Sequence, residues 1–233
     1  MIDKPVMIIT GTRKGIGKYL AEYYVEKEFV IIGCSRSDID FELNNYKHFV
    51  LDISDEKKVK KMFNQIRRTY GRLDILINNA GVASMNHVLL TPLKKTKEIL
   101  NTNFIGTFLF CREAGKIMKK NSYGRIVNFT SVGTKLKIEG EAIYTASKAA
   151  VENLTEVLSR EYAGFGITVN AIGPTPVKTD LIRSVPTEKI DNITKRLAIP
   201  RLTEYIDISN VIDFFISNKS NYITGQTIHL GGA

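Results

Sequence analysis

The chain has 233 residues, of which 43% are hydrophobic and 24% are charged, and its formal net charge is +9. A chain of this length and composition can fill one hydrophobic core, so we expect a single domain over residues 1–233. No run approaches the roughly 18 apolar residues of a membrane span. The N-terminus enters an apolar strand without a signal-peptide pattern, which favours a cytoplasmic protein.

The positive charge suggests an anionic partner. Lysines and arginines are spread along the chain in short clusters, as on solvated helix faces, which favours phosphorylated small molecules over nucleic acid. The two cysteines, Cys34 and Cys111, stand in apolar stretches without CxxC or His-rich spacing. We therefore expect buried free thiols and no metal site.

Short apolar runs alternate with segments of helical period along the whole chain. This order predicts an α/β fold, a doubly wound parallel sheet of seven strands with helices on both faces. The predicted strands are residues 6–9, 29–34, 47–51, 73–77, 125–129, 167–172 and 227–230. The predicted helices are residues 18–25, 56–70, 91–120, 141–162, 188–197 and 208–216.

A glycine-rich turn joins the first strand to the first helix. Residues 10–17 read TGTRKGIG, with the spacing GxxxGxG. Glycines permit a tight turn and let the backbone approach a pyrophosphate at the N-terminus of the helix, although a structural turn explains them too. The candidate phosphate-binding residues are Gly11, Arg13, Lys14, Gly15, Ile16 and Gly17.

The end of the second strand indicates which dinucleotide such a turn accepts. A carboxylate there binds the ribose hydroxyls of NAD, whereas arginine favours the 2′-phosphate of NADP. The chain has Ser35 and Arg36, with Lys14 as a second cation and Asp38 two residues further on. Because the Arg36 guanidinium suits phosphate, we predict NADP and rank NAD below it. A solvated Arg36 is the alternative.

Tyr144 and Lys148 stand four residues apart at the start of a predicted helix, so their side chains share one face. Tyrosine has an unperturbed pKa of about 10, and a nearby cation favours its phenolate. The pair is a candidate proton-transfer centre. A tyrosine packed beside a solvated lysine explains the spacing without chemistry.

Motifs over almost the whole chain resemble those of the short-chain dehydrogenase/reductase family, and within it the 3-oxoacyl-(acyl-carrier-protein) reductases and related carbonyl reductases. The resemblance implies a Rossmann-type fold, a nicotinamide cofactor and an Asn–Ser–Tyr–Lys catalytic set. The matching motifs, besides residues 10–17, are Asp52, NNAG at 78–81, Asn103 in NFIG, Ser131, YTASK at 144–148 and YITGQ at 222–226.

The resemblance also implies a role for each catalytic residue. Tyr144 would donate a proton to the carbonyl oxygen during reduction, and Lys148 would lower the pKa of that tyrosine and hold the nicotinamide ribose. Ser131 would bond the substrate oxygen, and Asn103 would support a water that links Lys148 to solvent. For Asn103, local satisfaction by backbone is the alternative.

The same resemblance places further residues beside the cofactor. Asp52 and Ile53 would border the adenine, while residues 79–81 would follow the ribose and nicotinamide. Asn78 and Asn79 would also tie the fourth strand to its neighbours. The cofactor residues beyond the turn are Ser35, Arg36, Asp52, Ile53, Asn79, Ala80, Gly81, Tyr144, Lys148, Pro174 and Thr179.

Two stretches depart from the family pattern. Residues 174–176 read Pro-Thr-Pro where relatives commonly have Pro-Gly, so the motif does not define the path of this loop. Between strands two and three, residues 35–46 replace the usual helix. We therefore expect a thinner adenine-side edge.

Residues 175–200 should form a lid over the substrate pocket. Leu181 and Ile182 would supply apolar surface and Arg183 a cation. This mixture suits an acyl chain that carries phosphate or carboxylate, and equally suits a nucleotide sugar. We predict an NADP-dependent carbonyl reductase that acts on a 3-oxoacyl thioester or a similar small ketone. An NAD(P)-dependent sugar or polyol dehydrogenase and a noncatalytic nucleotide-binding regulator are the alternative functions.

Two kinds of protein partner are considered. Arg183, Lys119 and Lys120 would meet an acidic acyl carrier protein, with a solvated basic surface as the alternative. The family resemblance also implies a homotetramer that packs through the two long helices and the last strand. The apolar contact candidates are Phe104, Phe108, Val151 and Leu158.

Overall fold

A computed structural model describes residues 4–179 and 187–233. Within them, seven parallel strands form one sheet in the order β3-β2-β1-β4-β5-β6-β7. The strand order reverses between β1 and β4, which is the switch point of a doubly wound sheet. The predicted fold class is therefore confirmed. The strands are β1 (Val6–Thr10), β2 (Val30–Ser35), β3 (Tyr46–Val50), β4 (Ile75–Asn78), β5 (Gly124–Phe129), β6 (Ile167–Gly173) and β7 (Thr227–His229).

The helices lie close to their predicted positions, with two differences. The long helix predicted for residues 91–120 contains a wider π-helical turn, Asn101–Gly106, and a short helix that we did not predict follows β5. The α-helices are α1 (Gly15–Glu26), α2 (Glu56–Tyr70), α3 (Leu93–Leu100), α4 (Thr107–Asn121), α5 (Gly133–Leu136), α6 (Ala142–Ala163), α7 (Thr187–Thr194) and α8 (Tyr205–Ile216).

The hydrophobic core lies on both faces of the sheet. Alternate residues of a strand point to opposite faces, so Ile8 packs with α2 and α4 while Met7 and Ile9 pack with α1 and α8. Burying each such side chain contributes about 1.5–3 kcal/mol. This two-sided burial explains why the strands read as continuous apolar runs.

The β3 edge of the sheet is thin, as predicted. No helix forms in residues 36–45, and β3 follows at the sheet margin with its residues only partly buried or exposed. The side chains of β3 thus stand next to the end of β2.

Both cysteines are free and buried, as expected. Two of the predicted subunit contacts are wrong, because Val151 and Leu158 are 0% and 6% exposed and face the interior of this chain. Phe108 is 36% exposed and stays available. In the part of the chain that the structure describes, no helix is long and apolar enough to cross a membrane.

Candidate active site

A cavity of about 980 Å³ opens at the carboxyl ends of the strands. Ligands of doubly wound sheets bind at this edge, beside the switch point. The cavity is lined by sixteen of the predicted site residues: Gly11, Arg13, Lys14, Gly15, Ile16, Ser35, Arg36, Asp52, Ile53, Asn79, Ala80, Gly81, Tyr144, Lys148, Pro174 and Thr179.

The glycine-rich turn brings backbone close to the cavity floor. Gly11 has a φ of +77°, and a Cβ there would lie 3.0 Å from the Ala80 Cα. Helix α1 begins at Gly15, directly after the turn, and Lys14 is its N-cap residue. The first N–H groups of α1 are therefore suited to an anion at the cavity.

Gly17 serves packing and does not line the cavity. It is buried, and a Cβ at this position would lie 2.2 Å from the Gly11 carbonyl oxygen. Only glycine lets α1 approach the β1 turn so closely. Gly17 thus serves helix–strand packing in this structure, and its direct contact with a cofactor stays a prediction.

One end of the cavity is basic. Arg13 and Lys14 reach it from the turn, Arg36 from the end of β2, and Lys178 from the loop after β6. Thr179 lies beside the turn, since its Cγ2 would be 3.4 Å from a Cβ on Gly15. Basic side chains around a helix N-terminus suit a ligand that carries several phosphates.

Asparagines after β4 join the strands at the cavity floor. Asn79 Nδ2 donates to the Thr10 carbonyl (2.8 Å), and Asn78 Nδ2 donates to Asn128 Oδ1 (2.9 Å). Asp52 Oδ1 accepts from the N–H (2.8 Å) and hydroxyl (2.7 Å) of Ser54. The expected tie between β4 and its neighbours is confirmed, and Asp52 also shapes its own turn.

Tyr144, Ser131 and Lys148 come together beyond the end of β5. The Ser131 side chain lies near enough to the Tyr144 hydroxyl to favour its phenolate. Lys148 is 4% exposed, and its Nζ donates to the Phe129 carbonyl at 2.8 Å. The structure thus brings together three of the four predicted catalytic residues, at the margin of the cavity that Tyr144 and Lys148 line.

Burial dominates the electrostatics of this group. It raises the pKa of Tyr144 to about 12, although the nearby Ser131 side chain acts in the opposite direction, and it lowers the pKa of Lys148 to about 8. Burial likewise raises the pKa of Glu141, just before α6, to about 7. Desolvation thus outweighs the effect of Ser131 on Tyr144, and the lowering of the Tyr144 pKa by Lys148 stays a prediction.

Asn103, the fourth predicted catalytic residue, lies in the π-helical turn and is fully buried. Its side chain exchanges two 2.9 Å hydrogen bonds with the backbone of Val82 and donates to Ser147 Oγ at 2.9 Å. A Cβ on Gly81 would lie 3.4 Å from both Asn103 Oδ1 and Lys148 Nζ. Asn103 thus joins three segments next to Lys148.

The loop after β6 has a defined path despite its two prolines. The Thr175 N–H donates to Thr203 Oγ1 (3.1 Å), and the Thr203 N–H donates to Thr175 Oγ1 (2.8 Å). The carbonyl of Pro174 accepts from the N–H of Val132 at 3.3 Å. These bonds place Pro174 on the cavity wall.

The sequence motifs do not include a polar cluster behind Ser131. Glu152 Oε1 accepts from Thr130 (2.6 Å), Thr134 (2.7 Å) and His229 (3.1 Å). Burial alone would raise the pKa of Glu152, but these hydrogen bonds lower it to about 2. The cluster links β5, α5, α6 and β7, and its members are too far apart in sequence to form a recognisable spacing.

Comparison with known proteins decides the family. A family model described as enoyl-(acyl carrier protein) reductase matches residues 11–232. The 3-oxoacyl-(acyl-carrier-protein) reductase FabG of Escherichia coli (strain K12) is 30% identical over 233 residues, which cover 97% of this chain and 96% of the relative. The chain belongs to the short-chain dehydrogenase/reductase family.

Other members of the short-chain dehydrogenase/reductase family agree with this assignment. FabG of Haemophilus influenzae (strain ATCC 51907 / DSM 11121 / KW20 / Rd) is 31% identical, with 97% of this chain and 96% of the relative covered. The structure of ElxO with NADP bound has a TM-score of 0.89 and 30% identity, with 97% of each chain covered. Ligand-free aldohexose dehydrogenase of Thermoplasma acidophilum has a TM-score of 0.90 and 26% identity, with coverages of 98% and 93%.

The predicted lid of this short-chain dehydrogenase/reductase is described only in part. Helix α7 lies within it, and Ile190 lines the cavity. Leu181, Ile182 and Arg183 lie outside the described residues. Lys119 and Lys120 are in the last turn of α4, just before β5 begins, at the sheet edge opposite the cavity. Their contact with an acidic carrier protein stays a prediction.

Proposed function

We propose that this chain is an NADP-dependent carbonyl reductase that acts on a 3-oxoacyl thioester or a similar small ketone. The single observation that carries the proposal is that Tyr144 and the buried Lys148, one helical turn apart on α6, line the same cavity, with the Ser131 side chain acting on Tyr144. The likeness to FabG supports the substrate class.

The residues that line the cavity fit the phosphate groups of NADP. The donor set at the basic end combines the backbone of the turn with Arg13, Lys14 and Arg36, which suits a pyrophosphate and a 2′-phosphate. The likeness to the NADP-bound ElxO structure agrees with this chemistry. When bound, NADPH would supply the hydride.

The side chains would then move a proton. Because its pKa is about 12, Tyr144 is a neutral phenol at neutral pH and can donate its proton to the carbonyl oxygen. The Ser131 hydroxyl would bond the same oxygen as negative charge develops on it. Lys148, with a pKa of about 8, can carry the returning proton near neutral pH. Asn103 would hold the segment beside Lys148, and the water link assigned to it stays a proposal.

A sugar dehydrogenase is the second candidate. The likeness to an aldohexose dehydrogenase and the half-buried carboxyl of Glu141, whose Oε2 and Ser131 Oγ both lie within 3.4 Å of a Cβ built on Gly133, favour a hydroxyl-bearing substrate. Turnover with NADPH against a panel of 3-oxoacyl thioesters and plain ketones, and with NADP⁺ against aldohexoses, separates the two functions. Cofactor binding without turnover of any compound would favour a noncatalytic regulator.

The Tyr144→Phe variant tests the catalytic assignment. We expect it to reduce kcat by at least about a hundredfold, the order expected for loss of a general acid, while the Kd for NADPH changes less than about twofold. Tyr205→Phe is a matched control, because Tyr205 lines the same cavity from α8 and is not one of the predicted catalytic residues. Wild-type turnover in Tyr144→Phe would contradict the assignment.

A further inference from the structure

A series of hydrogen-bonded polar side chains lies beneath the loop that follows β2. Thr12 Oγ1 lies 2.7 Å from the Tyr46 hydroxyl, which lies 2.8 Å from His48 Nδ1. His48 Nε2 lies 3.0 Å from Ser35 Oγ. These hydrogen bonds therefore connect the glycine-rich turn, the edge strand β3 and the end of β2.

The hydrogen bonds have one consistent direction when His48 is neutral. The Ser35 hydroxyl donates to the Ser37 carbonyl, so Ser35 Oγ accepts from His48 Nε2–H. Nδ1 is then an acceptor, so the Tyr46 hydroxyl donates to it and accepts from Thr12. Burial lowers the pKa of His48, which agrees with a neutral ring.

This series of hydrogen-bonded side chains can pass over β2 only because Gly33 has no side chain. A Cβ at Gly33 would lie 2.0 Å from the Tyr46 hydroxyl oxygen and 2.4 Å from Thr12 Oγ1. The rings of Tyr46 and His48 are stacked at an interplanar angle of 21°. The contacts are therefore tight, and a small displacement of β3 would be transmitted to Ser35.

The loop that receives these bonds needs support from outside. Ser35, Arg36 and Ser37 all line the cavity, but residues 36–45 form no helix or strand that would hold them. Arg36 itself is exposed, so the direction of its guanidinium depends on the backbone on either side of it. His48 bonds to both flanks, since its Nε2 lies 3.0 Å from Ser35 Oγ and 3.3 Å from the Ser37 carbonyl.

We propose that Tyr46 and His48 are positioning residues for cofactor selection, which orient the Ser35–Arg36–Ser37 loop toward a phosphate on the 2′-oxygen of an adenosine ribose. The proposal rests on the NADP preference in the proposed function. It assigns to the edge strand β3 a part in discriminating NADPH from NADH. Neither residue touches the reacting atoms, so catalysis by bound cofactor does not depend on them.

Binding of NADPH and NADH to the substrate-free protein, followed by cofactor fluorescence, tests the proposal. His48→Phe keeps a ring for stacking on Tyr46 and removes both nitrogens, whereas His48→Gln keeps an amide donor near the position of Nε2. We expect His48→Phe to weaken NADPH about tenfold and NADH less than about twofold, and His48→Gln to recover most of the loss. Arg36→Asp serves as the reference for complete loss of phosphate recognition.

His87→Phe is the matched control, because His87 is exposed and lies outside the cavity lining. We expect its Kd values to equal those of the wild type. Equal losses of NADPH and NADH in His48→Phe, or no loss, would overturn the proposal, as would a wild type that binds both cofactors equally. Loss of turnover in a substrate assay leaves these binding constants unaffected, so failure of the proposed catalysis is distinguishable from failure of this inference.

Discussion

Lys148 lies in buried surroundings that disfavour its positively charged form. Its ammonium is buried, and desolvation lowers its pKa from the ordinary 10.5 to about 8. Below about pH 8 the folded protein must hold a buried cation, which costs about 3 kcal/mol for a shift of this size. Its Nζ donates to the Phe129 carbonyl, which offsets part of that cost. A residue placed for chemistry is here expected to reduce stability.

The Lys148→Met variant tests the cost of this buried charge through the pH dependence of the free energy of unfolding. Between about pH 8 and 10.5 the wild type is neutral when folded and protonated when unfolded, so its stability rises with pH relative to a variant that cannot titrate. The stability of Lys148→Met relative to wild type should therefore fall by about 3 kcal/mol from pH 7 to pH 10.5. Urea unfolding of the cofactor-free proteins at several pH values checks this. A difference in unfolding free energy that does not vary with pH would contradict the buried charge.

At the scale of the element, helix α1 depends on close contact with the β1 turn. A Cβ on Gly17 would lie 2.2 Å from the Gly11 carbonyl oxygen, which is backbone and cannot rotate away. We expect Gly17→Ala to lower the free energy of unfolding by about 2–4 kcal/mol and to weaken cofactor binding, because the N-terminus of α1 must shift.

Gly164→Ala is the control for the Gly17 substitution. Gly164 follows α6 with an ordinary φ of −64°, and no atom lies within 4 Å of a Cβ built there. Alanine at this position should leave stability unchanged or raise it by up to about 1 kcal/mol. Urea denaturation of both variants compares them, and similar losses at the two sites would contradict the packing argument.

The π-helical turn is one of two elements that the sequence did not predict, the other being the short helix α5. Helical periodicity through residues 91–120 correctly indicated a long helix, because the apolar positions on either side of the turn stay roughly in phase. The wider turn arises from contacts distant in sequence. Asn103 bonds Val82 and Ser147, and Gly106 packs where a Cβ would lie 2.6 Å from the Ile53 side chain. Such π turns often occur at functional sites.

At the scale of the whole molecule, the outer surface of the two long helices suggests self-association. Phe108 on α4 and Val157 on α6 are 36% and 44% exposed. If they meet a second copy, Phe108→Asp with Val157→Asp should lower the mass measured by light scattering toward the 26.2 kDa of one chain. Val50→Asp is the control, because Val50 is 55% exposed at the β3 edge. An unchanged mass would show that this surface makes no subunit contact.

The fold was predictable because burial on both faces makes the strands of a parallel sheet read as apolar runs. The site was predictable where a motif requires a particular residue type, as at Gly11 and Tyr144. Contacts between distant segments were not predictable, which is why Val151 and Leu158 were assigned to a subunit surface although they are buried inside this chain. The Glu152 cluster was not predicted either, because its members are distant in sequence and meet only in the folded chain.

Positions 33 and 46, thirteen residues apart, compete for the same volume above β2. The Tyr46 hydroxyl occupies the volume that any side chain at position 33 would need. In a randomised library, larger residues at position 33 should therefore survive only together with a smaller or apolar residue at position 46. The two sites should mutate as a pair, and a chain that changed both would be free to acquire a different cofactor preference.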